Sequence, residues 1–121
     1  VFRFFKRMIA FRKAHPSLGR STFWRGDIAW YGATGAPDLS FDSHSLAWLL
    51  RGASAGDQDI YVMINAWWQP LEFTIQEGGA QEWRRVVDTG LASPEDISDP
   101  APISSTGYTL GPRSVAIFVR G

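Results

Sequence analysis

The chain has 121 residues, of which 45% are hydrophobic and 20% charged, and its 12 basic and 12 acidic residues give a formal net charge of zero. This length and composition are those of one globular domain with a buried core. No run of about 18 apolar residues, as a membrane-spanning helix would need, occurs, and the lack of cysteine excludes disulfides and thiolate metal sites.

The basic residues are concentrated at the start of the chain. Residues 1–20 hold six of the 12 basic groups and no acid, whereas residues 21–121 hold the other six and all 12 acids. Such a basic segment is either an element that binds a membrane or nucleic acid, or the solvated face of an amphipathic helix. Because the acidic remainder would repel phosphate groups, we expect neither a nucleic-acid nor a membrane partner.

The first element is predicted to be a helix with a broad apolar face. Its apolar side chains recur at helical spacing: Val1, Phe2, Phe4, Phe5, Met8, Ile9 and Phe11. The opposite, solvated side is expected to carry the basic residues Arg3, Lys6, Arg7 and Lys13. Because the residue before a proline is disfavoured in the helical region, the helix should end at Ala14 or His15, before Pro16. His15 is then either a group at the helix end or a catalytic base, and its position favours the first role.

The rest of the chain is predicted to form strands joined by turns. Short runs with apolar side chains on alternate residues, or on both faces, predict strands at residues 22–25, 29–31, 45–51, 59–65, 71–76, 83–88, 107–110 and 114–120. A serine followed by proline and two acids predicts a single helical turn at 93–96. Many short strands without intervening helices predict a mainly β fold, an antiparallel Greek-key β-sandwich of about seven to eight strands preceded by one N-terminal α-helix.

Several groups of carboxylates are candidates for the catalytic acid pair of a glycosidase. They are Asp38 with Asp42, Asp57 with Asp59, Glu95 with Asp96 and Asp99, and the single Asp88. The first three groups lie in turn-like segments where an aspartate closes the turn, whereas catalysis needs two acids positioned together by packed neighbours. Residues 42–45 (DSHS) are adjacent on an extended chain and point to alternate sides, so they do not form a triad. We therefore predict no catalytic residue, no metal and no cofactor in this chain.

Tryptophan is abundant, with six residues. Trp67 and Trp68 follow the strongest predicted strand, where an exposed indole would stack on the apolar face of a sugar ring. The alternative is that they pack under a loop, as large aromatic side chains at strand ends usually do. We name Trp67 and Trp68 as candidate substrate-binding residues, and we expect core or interface positions for Trp24, Trp30, Trp48 and Trp83.

Several segments of the chain resemble a known family. Residues 12–18 (RKAHPSL) resemble the end of the last barrel helix of α-amylase-clan enzymes. Residues 59–73 (DIYVMINAWWQPLEF), 83–89 (WRRVVDT), 93–96 (SPED) and 112–115 (PRSV) resemble the C-terminal domain of isoamylase-type glycogen debranching enzymes. Two positions depart from the family, which often has an aromatic residue where Leu39 stands and an acid where Gln69 stands.

The resemblance implies a (β/α)8 catalytic barrel followed by an antiparallel β-sandwich. On this layout residues 1–20 are the last helix of a missing barrel plus a linker, and residues 21–121 are the C-terminal β-sandwich domain. The family hydrolyses α-1,6 branch linkages of glycogen-like glucans with carboxylates on the barrel strands, which have no counterpart here. The implied function is a non-catalytic domain that stabilises the barrel of a cytoplasmic enzyme. The alternatives are a glucan-binding module that uses Trp67 and Trp68, and an interaction domain that uses the basic helix.

Overall fold

The structure is a computed structural model that describes residues 2–19, 25–40 and 42–121. Within these residues the chain forms one α-helix, α1 (Phe2–Ala14), and eight strands. The strands are β1 (Ile28–Tyr31), β2 (Ser45–Leu50), β3 (Asp59–Asn65), β4 (Leu71–Thr74), β5 (Trp83–Asp88), β6 (Ile97–Pro102), β7 (Gly107–Leu110) and β8 (Ser114–Arg120). No helix in the described part of the chain has the length and apolar character needed to cross a membrane.

All the strand pairs are antiparallel, and they form two sheets. The larger sheet has six strands in the order β1-β2-β3-β8-β5-β6, and the smaller sheet pairs β4 with β7. β8 comes last in the chain but lies in the middle of the larger sheet, between β3 and β5. The predicted fold class, mainly β and antiparallel with one N-terminal helix, is confirmed.

One face of the six-stranded sheet is covered by the two-stranded sheet. Because side chains alternate along a strand, Tyr61 and Met63 of β3 share this face. Phe73 of β4 and Leu110 of β7 belong to the same buried cluster. We call this side of the six-stranded sheet the closed face.

The opposite face of the six-stranded sheet is covered by α1. Ile60 and Val62 of β3 contribute to its buried core, and α1 packs on that core through Phe4, Met8 and Phe11. We call this side the helix face. Several apolar side chains on this face are only partly buried, namely Ile28, Trp48, Ile64, Val115 and Ile117. The larger sheet is thus the middle layer between a small sheet and a helix.

Most predicted strands agree with the structure. Strands 59–65, 83–88, 107–110 and 114–120 have the predicted bounds, and strands 29–31, 45–51 and 71–76 differ by one or two residues at an end. Residues 22–24 of the first predicted strand, Trp24 among them, lie outside the described residues. Arg25, the last residue of that predicted strand, instead begins a single turn of 3-10 helix (Arg25–Asp27).

β6 was not predicted from the sequence. It contains Pro100 and Pro102, which have no backbone N–H and disfavour a strand assignment. In the structure β6 is an edge strand of the six-stranded sheet, where one side of the strand needs no hydrogen-bond donor. The tertiary position of the segment therefore permits a strand that its local sequence argues against.

Candidate functional site

Trp67 and Trp68 lie in the turn that follows β3, at one end of the sandwich. Asn65, which is 1% exposed, holds this turn. Its side-chain amide donates to the backbone carbonyls of Gln69 (3.0 Å) and Gly111 (2.9 Å), and its carbonyl oxygen accepts from the Trp67 N–H (2.9 Å). Because a buried amide with all these partners is costly to displace, the turn is held in one conformation.

The two indoles have different surroundings. The Trp67 ring stacks on His44, with ring centroids 4.1 Å apart and ring planes 26° apart, and its Nε1–H donates to Oε1 of Gln69 (3.4 Å). The Trp68 side chain is 60% exposed, and its ring centroid lies 5.7 Å from that of Trp67. Trp67 is thus packed against a neighbour, whereas Trp68 presents its ring to solvent.

Residues of two other loops lie near His44 or contact the backbone of this turn. Asp38 accepts hydrogen bonds from the Ser40 hydroxyl (2.7 Å) and N–H (3.0 Å). The hydrogen bonds from Ser40, with a smaller contribution from nearby His44, hold the pKa of the Asp38 carboxyl below its ordinary value. In the turn before β8, the Arg113 N–H donates to the Trp67 carbonyl (3.0 Å). We call the residues whose side chains are linked here the double-tryptophan site: His44, Trp67, Trp68 and Gln69.

Sequence reasoning found Trp67 and Trp68 but missed the residues that surround them. His44 comes close because the Ala66 N–H donates to the His44 carbonyl (2.8 Å), which joins two distant segments. The residues around His44 in the sequence form no pattern that predicts this contact. The prediction that Asp38 serves a turn agrees with its hydrogen bonds to Ser40.

The second candidate surface is on α1. Three large apolar side chains point away from the sheet: Phe2 is 79% exposed, Phe5 62% and Ile9 54%. We call these three the outer face of α1. The residues Phe4, Met8 and Phe11 are on the opposite side of the helix, against the sheet. The helix is therefore apolar on two sides rather than one.

The basic residues of α1 are divided in the same way, and the prediction that all of them lie opposite the apolar side chains is wrong. Arg3 pairs with Asp96, and Arg7 lies 3.3 Å from Asp99, so both reach toward the sandwich. Arg3 also donates to the Ser93 hydroxyl (3.2 Å). The prediction of a single helical turn at 93–96 is wrong, since these residues form a turn that is not helical. The exposed basic residues of the helix are Lys6, Arg12 and Lys13.

The end of α1 is attached to the turn between β2 and β3 through Asp57. α1 ends at Ala14, as predicted from Pro16, and the buried His15 places its Nδ1 2.9 Å from one oxygen of Asp57. The Ser17 hydroxyl (2.6 Å) and N–H (3.2 Å) donate to the other oxygen. Burial opposes ionisation of Asp57, but the hydrogen bonds from Ser17 and His15 outweigh it and lower its pKa. Because the Ser17 hydroxyl donates to Asp57 and not to His15, the cluster lacks the nucleophile–base contact of a triad.

Two further candidate carboxylates, Asp59 and Asp88, also make structural contacts. Asp59 binds Arg120 (2.6 Å) on β8 rather than pairing with Asp57. Asp88 is buried and accepts hydrogen bonds from the Gly90 N–H (2.9 Å) and the Tyr108 hydroxyl. Burial and the Asp88 carboxylate raise the pKa of Tyr108 to about 12. Among the described residues no group of three or more His, Asp or Glu side chains is arranged to hold a metal ion.

Comparison with known proteins identifies the family to which the chain belongs. Residues 27–119 match the family described as "Isoamylase, C-terminal". The chain is 35% identical over 138 aligned positions to an isoamylase of Flavobacterium sp., an alignment that covers 94% of this chain and 18% of that protein. It is 36% identical over 96 positions to an isoamylase of Pseudomonas amyloderamosa (73% and 12%). Isoamylase 3, chloroplastic, of Oryza sativa subsp. japonica is 34% identical over 116 positions (93% and 14%). The chain thus spans less than a fifth of the length of these relatives.

Proposed function

This chain belongs to the isoamylase C-terminal family, and from that membership we propose that it is a non-catalytic C-terminal β-sandwich domain of a glycogen debranching enzyme. Its role is to cover apolar surface of the catalytic domain and to stabilise that domain. The parent enzyme would hydrolyse α-1,6 branch linkages of glycogen-like glucans. On this proposal residues 1–20 are the last helix of the catalytic barrel plus a linker, and residues 21–121 are the sandwich.

The observation that carries this proposal is the outer face of α1. A helix that is apolar on two opposite sides is typical of a helix buried between two layers. Here one side packs on the sheet, while Phe2, Phe5 and Ile9 are exposed on the other. Clustered exposed apolar side chains mark protein interfaces. The catalytic domain is the partner that would cover them.

Trp30 is a further exposed apolar side chain on the side of the sheet that α1 covers. It stands opposite Trp48 in the β1–β2 register, and directly opposite residues project to the same face of a sheet. Trp48 packs against the core of the helix face, so Trp30 also lies on the helix face, where it is 51% exposed. A partner docked there would contact both α1 and the edge of the sheet.

The carboxylate contacts support a non-catalytic role. Asp57, Asp59 and Asp88 each accept hydrogen bonds from groups that connect separate elements of the fold. A glycosidase needs two carboxyl groups facing one substrate bond at a defined separation. We expect the isolated chain to release no reducing sugar from pullulan or glycogen. Release that disappears when one of these aspartates is replaced would contradict the proposal.

The docking proposal is tested by placing one substitution in two contexts. Phe5→Asp should leave the melting temperature of the isolated chain nearly unchanged, because Phe5 is exposed there. In the full-length parent enzyme the same change should lower the melting temperature by several degrees, because a charge would be buried against the partner. Leu39→Asp is the matched control, since Leu39 is 89% exposed in the loop between β1 and β2. Equal behaviour of the two variants in the parent enzyme would overturn the docking proposal.

Glucan binding through Trp67 and Trp68 is the second candidate function. It is favoured by the 60% exposure of Trp68 on a turn that Asn65 holds in place, because a rigid exposed indole binds a ring without first being ordered. Electrophoresis through a gel that contains glycogen tests it. Retardation that is lost in Trp68→Ala supports binding, and migration equal to that in a glycogen-free gel contradicts it.

A further inference from the structure

A cleft of about 280 Å³ lies between α1 and the edge strand β6. Its most deeply buried lining residues are Val86, Ile97 and Val119. On the helix it is lined by Ala10 and Ala14, which are one turn apart and whose small side chains leave the space open. A cavity of about 150 Å³ with apolar walls holds a benzene ring, so this α1–β6 cleft has room for an aromatic ring with a substituent.

His15, which follows α1, also lines the α1–β6 cleft and is only 8% exposed. Its Nδ1 faces Asp57, which does not line the cleft, so the cleft adjoins the other side of the imidazole ring, where Nε2 lies. Among the residues that the structure describes, Nε2 has no hydrogen-bond partner. Because buried polar atoms are nearly always hydrogen-bonded, an unpartnered Nε2 beside an open cleft indicates that the occupant of the cleft supplies the partner.

The lining favours a neutral aromatic ring with one hydroxyl group. The ionised Asp57 only accepts, so Nδ1 carries the proton and Nε2 of the neutral imidazole is an acceptor for that hydroxyl. Most of the lining is apolar and includes the ring of Phe11, against which several hydroxyls of a sugar would lack partners. Arg7 and Asp99, 3.3 Å apart, also line the cleft, and their opposite charges favour neither a cation nor an anion.

The α1–β6 cleft adjoins the outer face of α1. Ile9 of that face and Ala10 of the cleft are consecutive in the helix, and both are exposed. A partner that covers Ile9 therefore also comes within reach of the cleft. We propose that the rest of the catalytic domain inserts a tyrosine side chain here, with its hydroxyl donating to Nε2 of His15. This inference rests on the docking proposal above and adds the chemistry of one contact to it.

Two small molecules test the chemistry of the cleft in the isolated 121-residue chain. p-Cresol is the side chain of tyrosine as a free molecule, and toluene is the matched molecule without the hydroxyl. In an NMR titration p-cresol should bind about fivefold more tightly than toluene, because only p-cresol makes the hydrogen bond to Nε2. The largest shift changes should be at the backbone amides of Ala10, Ala14 and Ser98, which line the cleft. Equal affinities, or the largest changes at Phe2 and Phe5 instead, would overturn the proposal.

His15→Asn assigns the preference to Nε2. The asparagine amide can still donate to Asp57, but the variant has no atom in place of Nε2. The preference for p-cresol over toluene should fall from about fivefold to about onefold. A general loss of structure would weaken both molecules alike, so the ratio of the two affinities reports on Nε2 itself. A ratio that the variant retains would contradict the proposal, and the wild-type titration decides it if the variant does not fold.

Ala10→Leu in the full-length parent enzyme tests the tyrosine. Ala10 is exposed and leucine is a good helix former, so the melting temperature of the isolated chain should be nearly unchanged. In the parent enzyme the larger side chain would obstruct the tyrosine, and the melting temperature should fall by several degrees. The matched control is Ala53→Leu, an exposed alanine in the turn after β2 that does not line the cleft.

The outcomes in the parent enzyme separate this contact from docking as a whole. If Phe5→Asp destabilises the parent enzyme but Ala10→Leu behaves like Ala53→Leu, docking stands and the tyrosine contact fails. If neither Phe5→Asp nor Ala10→Leu destabilises it, docking fails and the tyrosine contact with it.

Discussion

The two faces of the six-stranded sheet differ in how completely the chain covers them. Both faces have a buried cluster with partly covered apolar side chains around it, but the large aromatic side chains Tyr61, Trp83 and Phe118 are all buried on the closed face. On the helix face the centre is buried as well, but Trp48 and Ile64 are only partly covered and Trp30 is 51% exposed. Two strands complete the first face within the chain, whereas one 13-residue helix covers part of the second. The closed face therefore buries the chain's large aromatic side chains, and the helix face is the one that leaves apolar surface available to a partner.

The largest expected loss of stability comes from a substitution on the closed face. Phe118 is fully buried and meets Tyr108 edge to face, with ring centroids 5.2 Å apart. Phe118→Ala should lower the free energy of unfolding by about 3–5 kcal/mol, measured by urea denaturation, because it leaves a cavity that the two sheets cannot close. Phe118→Leu keeps most of the volume and should cost less than about 1.5 kcal/mol. Similar losses in the two variants would show that the closed face is not tightly packed.

On the helix face, replacing a phenylalanine by alanine should lower the free energy of unfolding by less than it does on the closed face. Phe11 is partly buried against the sheet, and its ring is tilted against that of His15, with ring centroids 4.3 Å apart. Phe11→Ala should lower the free energy of unfolding by about 2 kcal/mol, since only part of the ring leaves an apolar environment. A loss as large as that of Phe118→Ala would remove the difference between the two faces.

The attachment of α1 through Asp57 should depend on pH. The pKa of Asp57 is lower in the fold than in the unfolded chain, where it is about 3.9. Its stabilising effect is therefore present above about pH 4 and is lost as the pH falls through the folded pKa. Asp57→Asn should cost about 1 kcal/mol at neutral pH, because charge-assisted hydrogen bonds become neutral ones. The difference between wild type and variant should shrink below about pH 4, and a difference that stays constant with pH would contradict this account.

The smallest expected change in stability comes from a substitution on the outer face of α1. Ile9 is 54% exposed, and lysine is a better helix former than isoleucine. Ile9→Lys should therefore change the free energy of unfolding of the isolated chain by less than about 0.5 kcal/mol. Chemical denaturation alongside Phe11→Ala makes the comparison direct. A loss equal to that of Phe11→Ala would show that the outer face packs within the chain.

Sequence pattern predicted most strands well and failed where prolines interrupt the strand. β3 and β8 were bounded correctly because their apolar side chains serve both faces of the sheet. β6 was missed because Pro100 and Pro102 argue against a strand. The pairing of Arg7 with Asp99 could not be foreseen either, since it requires knowing that α1 lies beside β6.

Local pattern alone was enough to establish the mainly β class, the N-terminal helix, most strand positions and the family resemblance, because each depends on neighbours within a short stretch of chain. The folded chain was needed to show that Phe4 faces the sheet while Phe5 faces solvent, and that His15 meets Asp57. It was also needed to show Trp67 packed on His44 and Trp68 left exposed. These features arise from contacts between segments far apart in the sequence, and no local propensity specifies which distant segment becomes a neighbour.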